Sequence, residues 1–202
     1  MTRDEDVHVD RDKRANIRPD ERWKGSGRGP ALWHAQEPVN LLNFHDSDRS
    51  IDGRFPQGFL RWVEPILGGN PAKWLHVCSG GLSSADVAGT RVDIRLEVRP
   101  DVVADGRALP FADDSFEAAL IDPPYSHQHA ADLYDTEYPR PSALLREASR
   151  VVRPCGRIGI LHFLVCSVPL GCRFWRVWGI TQGVGYRIRA FTVYERNQVS
   201  LF

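Results

Sequence analysis

The apolar run Ala118-Ala119-Leu120-Ile121 is stopped by Asp122-Pro123-Pro124-Tyr125, a junction that leaves the backbone little choice. Neither proline has an N–H to give a neighbouring strand, so a strand entering from the amino side must end there. Residues that precede proline are also pushed toward extended geometry. The result is a rigid cup with a carboxylate at its lip, two fixed φ angles and a flat ring. Such a cup suits a planar base that carries an exocyclic amino group. The plain alternative is a strand-ending turn with Tyr125 as a packing ring.

The texture upstream and downstream gives the cup a setting. From Lys73 onward, short apolar runs alternate with helix-sized gaps. Strands are expected at Trp74–Val77, Arg91–Ile94, Asp101–Ala104, Ala118–Ile121 and Arg157–Val165. A closing pair is expected at Phe174–Ile180 and Ile188–Glu195, with the turn at Gly183-Val184-Gly185-Tyr186. Pro141–Val152 has the apolar spacing of an amphipathic helix broken at Pro154, and Phe59–Leu67 has it too, ended by Gly68-Gly69-Asn70-Pro71. This alternation predicts an α/β fold with a mostly parallel sheet and an antiparallel final strand. Leu82–Thr90 has room for a crossover helix of one or two turns only. The Trp175-Arg176-Val177-Trp178 stretch alternates as a core strand does.

At 202 residues the chain holds one sizeable core. Three regions are expected: a charged, mobile arm over 1–30, an extension over 31–72 that contributes to the site, and a catalytic domain over 73–202. Ala31–Phe44 reads as a strand or short helix. No apolar run reaches the roughly 20 residues that span a bilayer, and the charged N-terminus does not read as a secretory signal. Cys78, Cys155, Cys166 and Cys172 lack CxxC spacing, so reduced thiols and a cytoplasmic setting are expected. From Arg140 on, ten arginines face two glutamates, a balance of +8 against −8 before it. A basic third of this kind fits a polyanion, although arginines on helices and strand edges more often face water or pair with acids.

In an open parallel sheet, ligands gather at the carboxyl ends of the strands. Cys78-Ser79-Gly80-Gly81 follows the first core strand, and its small residues allow close backbone approach. The G-x-G-x-x-G fingerprint is absent, so a nicotinamide cofactor is not indicated. Asp93 ends the second strand, where a carboxylate can accept both hydroxyls of a ribose. Asp105, beyond the third, can accept from an adenine amino group. His76 and His162 read as core or supporting residues, and His127 and His129 as loop residues. With no third ligand at characteristic spacing, no metal site is expected. Trp23, Trp33 and His34 are candidates for stacking on unpaired bases.

Val77–Gly81, Asp93, Ala104-Asp105-Gly106-Arg107-Ala108-Leu109-Pro110-Phe111, Asp113-Asp114-Ser115-Phe116 and Asp122-Pro123-Pro124-Tyr125 together resemble the class I S-adenosylmethionine-dependent methyltransferases. More narrowly, the chain resembles the amino-methyltransferases of nucleic acids, which carry an Asp/Asn/Ser-Pro-Pro-Tyr/Phe motif. Val151–Ile158 resembles the turn from helix to fifth strand in that fold, with Cys155 in place of the first of two glycines. The resemblance implies a Rossmann-like, mostly parallel seven-stranded sheet with an antiparallel final strand, and S-adenosyl-L-methionine as cofactor. It implies that Cys78, Ser79, Gly80, Gly81, Asp93, Asp105 and Gly106 hold the cofactor. Phe55, within Arg54–Phe59, would close over its methionine end. Asp122, Pro123, Pro124 and Tyr125 would act on the substrate.

The activity that this resemblance implies is methyl transfer to an exocyclic amino group of a base. Asp before Pro-Pro leans toward adenine N6 in DNA, with cytosine N4 next. An RNA base is the enzymatic rival, at guanine N2 or adenine N6. A silent fold that binds nucleic acid without turnover is the rival of another class. Methylation of a protein glutamine fits less well, since that group resembles Asn-Pro-Pro-Tyr. No separate recognition domain is evident, so specificity is expected from the N-terminal seventy residues, from the loop Ser126–Pro139, from a partner protein or from a homodimer.

Overall fold

The computed structural model describes residues 41–43, 55, 58–181 and 187–198. The chain divides into two compact units, Met1–Pro38 and Val39–Phe202, and every described residue belongs to the second. The expected arm over 1–30, Trp23, Trp33, His34 and the turn at Gly183–Tyr186 lie outside the described residues.

Among the described residues eight strands share one sheet: β1 (Leu41–Asn43), β2 (Trp74–Val77), β3 (Thr90–Asp93), β4 (Val102–Val103), β5 (Phe116–Ile121), β6 (Val152–His162), β7 (Cys172–Thr181) and β8 (Arg189–Arg196), in the order β1-β7-β8-β6-β5-β2-β3-β4. All pairings are parallel except those of β8, which lies antiparallel between β6 and β7. This is the Rossmann-like, mostly parallel arrangement with an antiparallel final strand expected from the sequence, extended at one edge by an eighth strand, β1, which pairs parallel with β7. Strand order reverses between β2 and β5, where Val77 sits opposite Ile121. The Asp-Pro-Pro motif and the glycine turn therefore leave neighbouring strands at the same end of the sheet.

Among the described residues three α-helices accompany the sheet: α1 (Phe59–Leu67), α2 (His127–Tyr134) and α3 (Pro141–Val151). On one face Leu75, Val77, Ala119, Ile121, Ile158 and Ile160 pack with Leu144, Leu145, Ala148 and Val151, which α3 supplies. On the other, Phe59, Val63 and Leu67 recur every fourth residue of α1 and meet Leu120, Leu161, Phe191 and Val193. Edge-to-face contacts of Phe59 with Phe191 (5.2 Å) and Trp62 with Trp178 (5.3 Å) seal that layer. Each aliphatic or aromatic side chain buried this way contributes about 1.5–3 kcal/mol. Trp175 and Trp178 both reach this face because a register shift between Phe174 and Arg176 interrupts the alternation.

Several local expectations need correction. No regular helix crosses between β2 and β3. Asp86 takes both the N–H and the hydroxyl of Ser83 (2.8 and 2.7 Å), making a turn instead. At Gly89 (φ 99°) a Cβ would lie 2.5 Å from the Trp74 carbonyl oxygen, so the chain is pressed against β2. The loop expected over Ser126–Pro139 contains α2, whose first turn is capped by the Ser126 hydroxyl accepting from His129 N–H at 3.1 Å. Strand β6 begins at Val152 rather than Arg157, running through Cys155 in a left-handed conformation (φ 63°).

Candidate active site

The ladder between β2 and β5 ends in one last hydrogen bond, from Asp122 N–H to the Val77 carbonyl at 3.3 Å. Pro123 and Pro124 then remove the next donors, and the backbone turns away. Tyr125 folds back so that its hydroxyl donates to Asp122 Oδ1 at 2.8 Å. The same hydroxyl accepts from Arg189 Nη1 at 2.9 Å. Burial pushes the Asp122 carboxyl up to about 6, against the opposing pull of Arg189 and the Tyr125 hydroxyl. The Tyr125 phenol is raised well above its ordinary value by burial and by the neighbouring carboxylate. Around the ring stand Phe163 (4.6 Å between centroids), His162 (5.8 Å) and His129 (6.0 Å). The ring expected as a stacking face is half-buried against these neighbours, and its hydroxyl occupies one acceptor of Asp122.

The turn after β2 carries two left-handed residues, Cys78 (φ 55°) and Gly80 (φ 51°). This geometry aims Gly80 N–H at Asp93 Oδ2, 2.8 Å away. The other oxygen of Asp93 accepts from Arg95 N–H (3.0 Å) and Arg95 Nε (3.2 Å). The guanidinium of Arg95 in turn lies 4.5 Å over the Tyr134 ring of α2. Asp105 is gripped in the same way by Arg107, with Nη2 at 2.8 Å, while Arg107 Nη1 reaches Glu137 at 2.8 Å. Gly106 has no room for a side chain, since a Cβ would fall 2.6 Å from Val77 and 2.8 Å from Leu144. The following loop is anchored by α3: Glu147 accepts from Leu109 N–H at 3.1 Å, and Arg150 holds the carbonyls of Leu109 and Phe111.

These residues converge. Burial drives the Cys78 thiol far above its usual range, and Asp93, Asp122 and Asp105 all add to the effect in that order. Three carboxylates are thus felt at one point, at the switch in strand order. Ser79 Oγ, on the same turn, is buried with no hydrogen-bond partner among the described residues. Phe55 stacks on Phe59 at 5.1 Å and packs against the α1 face; its neighbours 51–54 and 56–57 lie outside the described residues. No group of three or more His, Cys, Asp or Glu side chains among the described residues is placed to hold a metal ion. All four cysteines are free thiols. No helix among the described residues is long and apolar enough to cross a membrane.

Arg189, one of the ten arginines of the basic third, does not face a polyanion: it is 8% exposed and bonded into the motif. Its parity with Phe191 and Val193 on β8 was the available signal. Other members of the basic third are also engaged: Arg150 with Glu147 and Asp113, Arg153 with Glu117, Arg157 and Arg173 with Glu195, and Arg196 with Asp114. His162, by sequence a core or supporting residue, is buried with Nδ1 accepting from Leu164 N–H at 3.1 Å. Neutral imidazole then keeps its proton on Nε2, 3.3 Å from the Tyr138 hydroxyl. His76 lies buried in β2 with Nε2 at 3.0 Å from the Ala88 carbonyl.

No protein-family model matches the chain. A curated relative, the demethylmenaquinone methyltransferase of Corynebacterium efficiens, is 38% identical over 71 residues, 35% of this chain and 26% of the relative. The chain thus spans about a quarter of that relative's length. Among solved structures, TrmN from Thermus thermophilus has a TM-score of 0.48 at 17% identity, covering 67% of this chain and 47% of that one. The [4+2]-cyclase SpnF has a TM-score of 0.50 at 14% identity, covering 82% of this chain and 91% of that one. What this last likeness shows is the fold.

Proposed function

We propose that this chain transfers a methyl group from S-adenosyl-L-methionine to an exocyclic amino group of a nucleic-acid base, with adenine N6 in DNA as the leading target. The observation that carries the reading is the gathering of three carboxylates around the end of β2: Asp93 on the Gly80 N–H, Asp122 just past its N–H bond to Val77, and Asp105 beside Gly106, which abuts Val77, with Tyr125 bonded to Asp122. The short curated match to a methyltransferase agrees with it.

The residues fit the cofactor chemically. Gly80 offers a left-handed backbone with no side chain and Ser79 an unpartnered hydroxyl. Asp93 would accept from ribose hydroxyls and Asp105 from an adenine amino group. When bound, S-adenosylmethionine supplies a methyl group already activated on a sulfonium. Asp122 accepts one hydrogen of the substrate amino group and the Pro123 carbonyl another, which returns lone-pair density to a nitrogen otherwise delocalised into the ring. Asp122 then takes the proton that the methylated nitrogen releases. Pro123 and Pro124 hold these acceptors in place, so alignment and electrostatics supply most of the rate. Tyr125 supplies a stacking face worth ~1–3 kcal/mol per base, which offsets much of the cost of flipping the base out.

One observation favours a second reading, a fold that binds without turnover. Arg95 and Arg107 already occupy the carboxylates that the cofactor needs. Incubation with radiolabelled S-adenosylmethionine and separate DNA, RNA and protein pools, followed by nucleoside mass spectrometry, decides between them. N6-methyladenine in the DNA pool is the expected product. Label confined to RNA would move the target, and no label with no cofactor binding would leave the silent fold.

A further inference from the structure

We propose that Arg189 is a positioning residue for the Asp122 carboxylate and acts through the Tyr125 hydroxyl. Asp122's role as amino-group acceptor comes from the function proposed above; the relay itself rests on geometry. Arg189 opens β8 beside the end of β6, where Ala190 pairs with His162. It is 8% exposed and forms no ion pair with a carboxylate among the described residues. Nη1 reaches the Tyr125 oxygen at 2.9 Å, whereas Nη2 is buried with no partner among the described residues. A guanidinium buried without a direct ion pair is costly, and an aliphatic side chain would fill the slot without that cost. The position therefore gains something from charge.

The gain is directional. A guanidinium only donates, and a phenol has one proton and two lone pairs. With Nη1 donating to the Tyr125 oxygen, the phenolic proton must point at Asp122 Oδ1, 2.8 Å away. The groups facing Asp122 are few. From the end of β2 comes the Cys78 thiol, held neutral; from its own loop comes Tyr125; from β8 comes Arg189; beyond the Tyr125 ring stand His162 of β6 and His129 of α2. Arg189 is the cation that opposes burial at Asp122. Without it burial would raise the carboxyl further, toward a protonated form that presents a donor where an acceptor is needed, and Tyr125 would lose its fixed orientation.

The test is a pH titration of carboxyl-13C-labelled aspartate by NMR in the full chain, with Asp122→Asn to assign the resonance. Wild-type Asp122 is expected to titrate at about 6. Arg189→Met should move that midpoint up by ~1 pH unit or more, the size of effect that a nearby opposite charge exerts. Arg189→Lys should return most of the shift. An unmoved midpoint in Arg189→Met would overturn the relay. If that variant does not fold, Tyr125→Phe cuts the same connection, and an unmoved midpoint there would be equally decisive against it. The acid limb of methyl transfer should follow the titration. Absence of methyl transfer by the wild type would sink the proposed function and leave the titration to decide the relay alone.

Discussion

The backbone N–H of Gly80 donates to Asp93 Oδ2 at 2.8 Å, which ties the turn after β2 to the end of β3. Each element alone is common; joined, they place a carboxylate beside a stretch of backbone with no side chain in the way. Arg95 loads the other oxygen, so the carboxylate is held in one orientation from both sides.

Asp93→Ala should therefore weaken S-adenosylmethionine binding, read by calorimetry, by roughly 10- to 100-fold. Hydrogen bonds to a charged group are worth ~1.5–3 kcal/mol, and each ~1.4 kcal/mol is tenfold in affinity. Affinity equal to wild type would remove Asp93 from the ribose role.

Asp122 sets activity against stability. The carboxyl ionises near 3.8 in an ordinary setting and at about 6 in the fold. Between these values the folded state keeps a proton that the unfolded chain has lost. Stability thus falls as pH rises through that window and stays lower above it. Asp122→Asn should raise stability at pH 8 by ~1–3 kcal/mol in denaturant unfolding while it abolishes methyl transfer. Cofactor affinity should persist. In the wild type, kcat should rise with pH through about 6 as the acceptor ionises. A variant that is both active and no more stable would contradict both halves.

The strands that form the floor of the site were legible because they are buried on both faces and read as unbroken apolar runs. Trp74–Val77 and the helix Phe59–Leu67 have the bounds that their patterns predict. Their ends carried Asp93, Asp105 and Asp122 into view. What stayed hidden depends on partners distant in sequence. Arg189 lies 64 residues from Tyr125, and an arginine at the start of a strand looks like any solvated charge until the fold is closed. Helix α2 hides for a different reason: His127–Tyr134 is too polar to show an apolar stripe. The missing crossover helix turns on Asp86 taking both donors of Ser83, a contact that helix spacing does not reveal.

Cys155 holds a left-handed conformation (φ 63°) in the bulged opening of β6. L-residues incur ~1–2 kcal/mol there, and glycine gives part of that back through its freer unfolded state. Cys155→Gly should stabilise the chain by a net ~0.5–1 kcal/mol, seen as a rise in Tm of ~1–4 °C for a protein of this size. A fall in Tm would mean that the thiol makes a contact worth more than the strain.

Arg107 competes for the acceptor that an adenine amino group would use. Its guanidinium spans Asp105 and Glu137, and about a third of the side chain is exposed. An ion pair that wet contributes less than ~1 kcal/mol to stability, so Arg107→Met should fold with little loss. Removing the guanidinium frees Asp105 Oδ2, while Oδ1 still accepts from the backbone N–H of residue 107 at 2.8 Å, and lets the carboxyl, now held below its usual range by Arg107, rise toward its ordinary value. Asp105 stays ionised at pH 7 either way, so the acceptor survives. Calorimetry with S-adenosylmethionine should then show tighter binding for Arg107→Met than for wild type, and the difference should shrink as salt is raised. Weaker binding would reverse the assignment: the guanidinium would be orienting Asp105 for the cofactor rather than standing in its place.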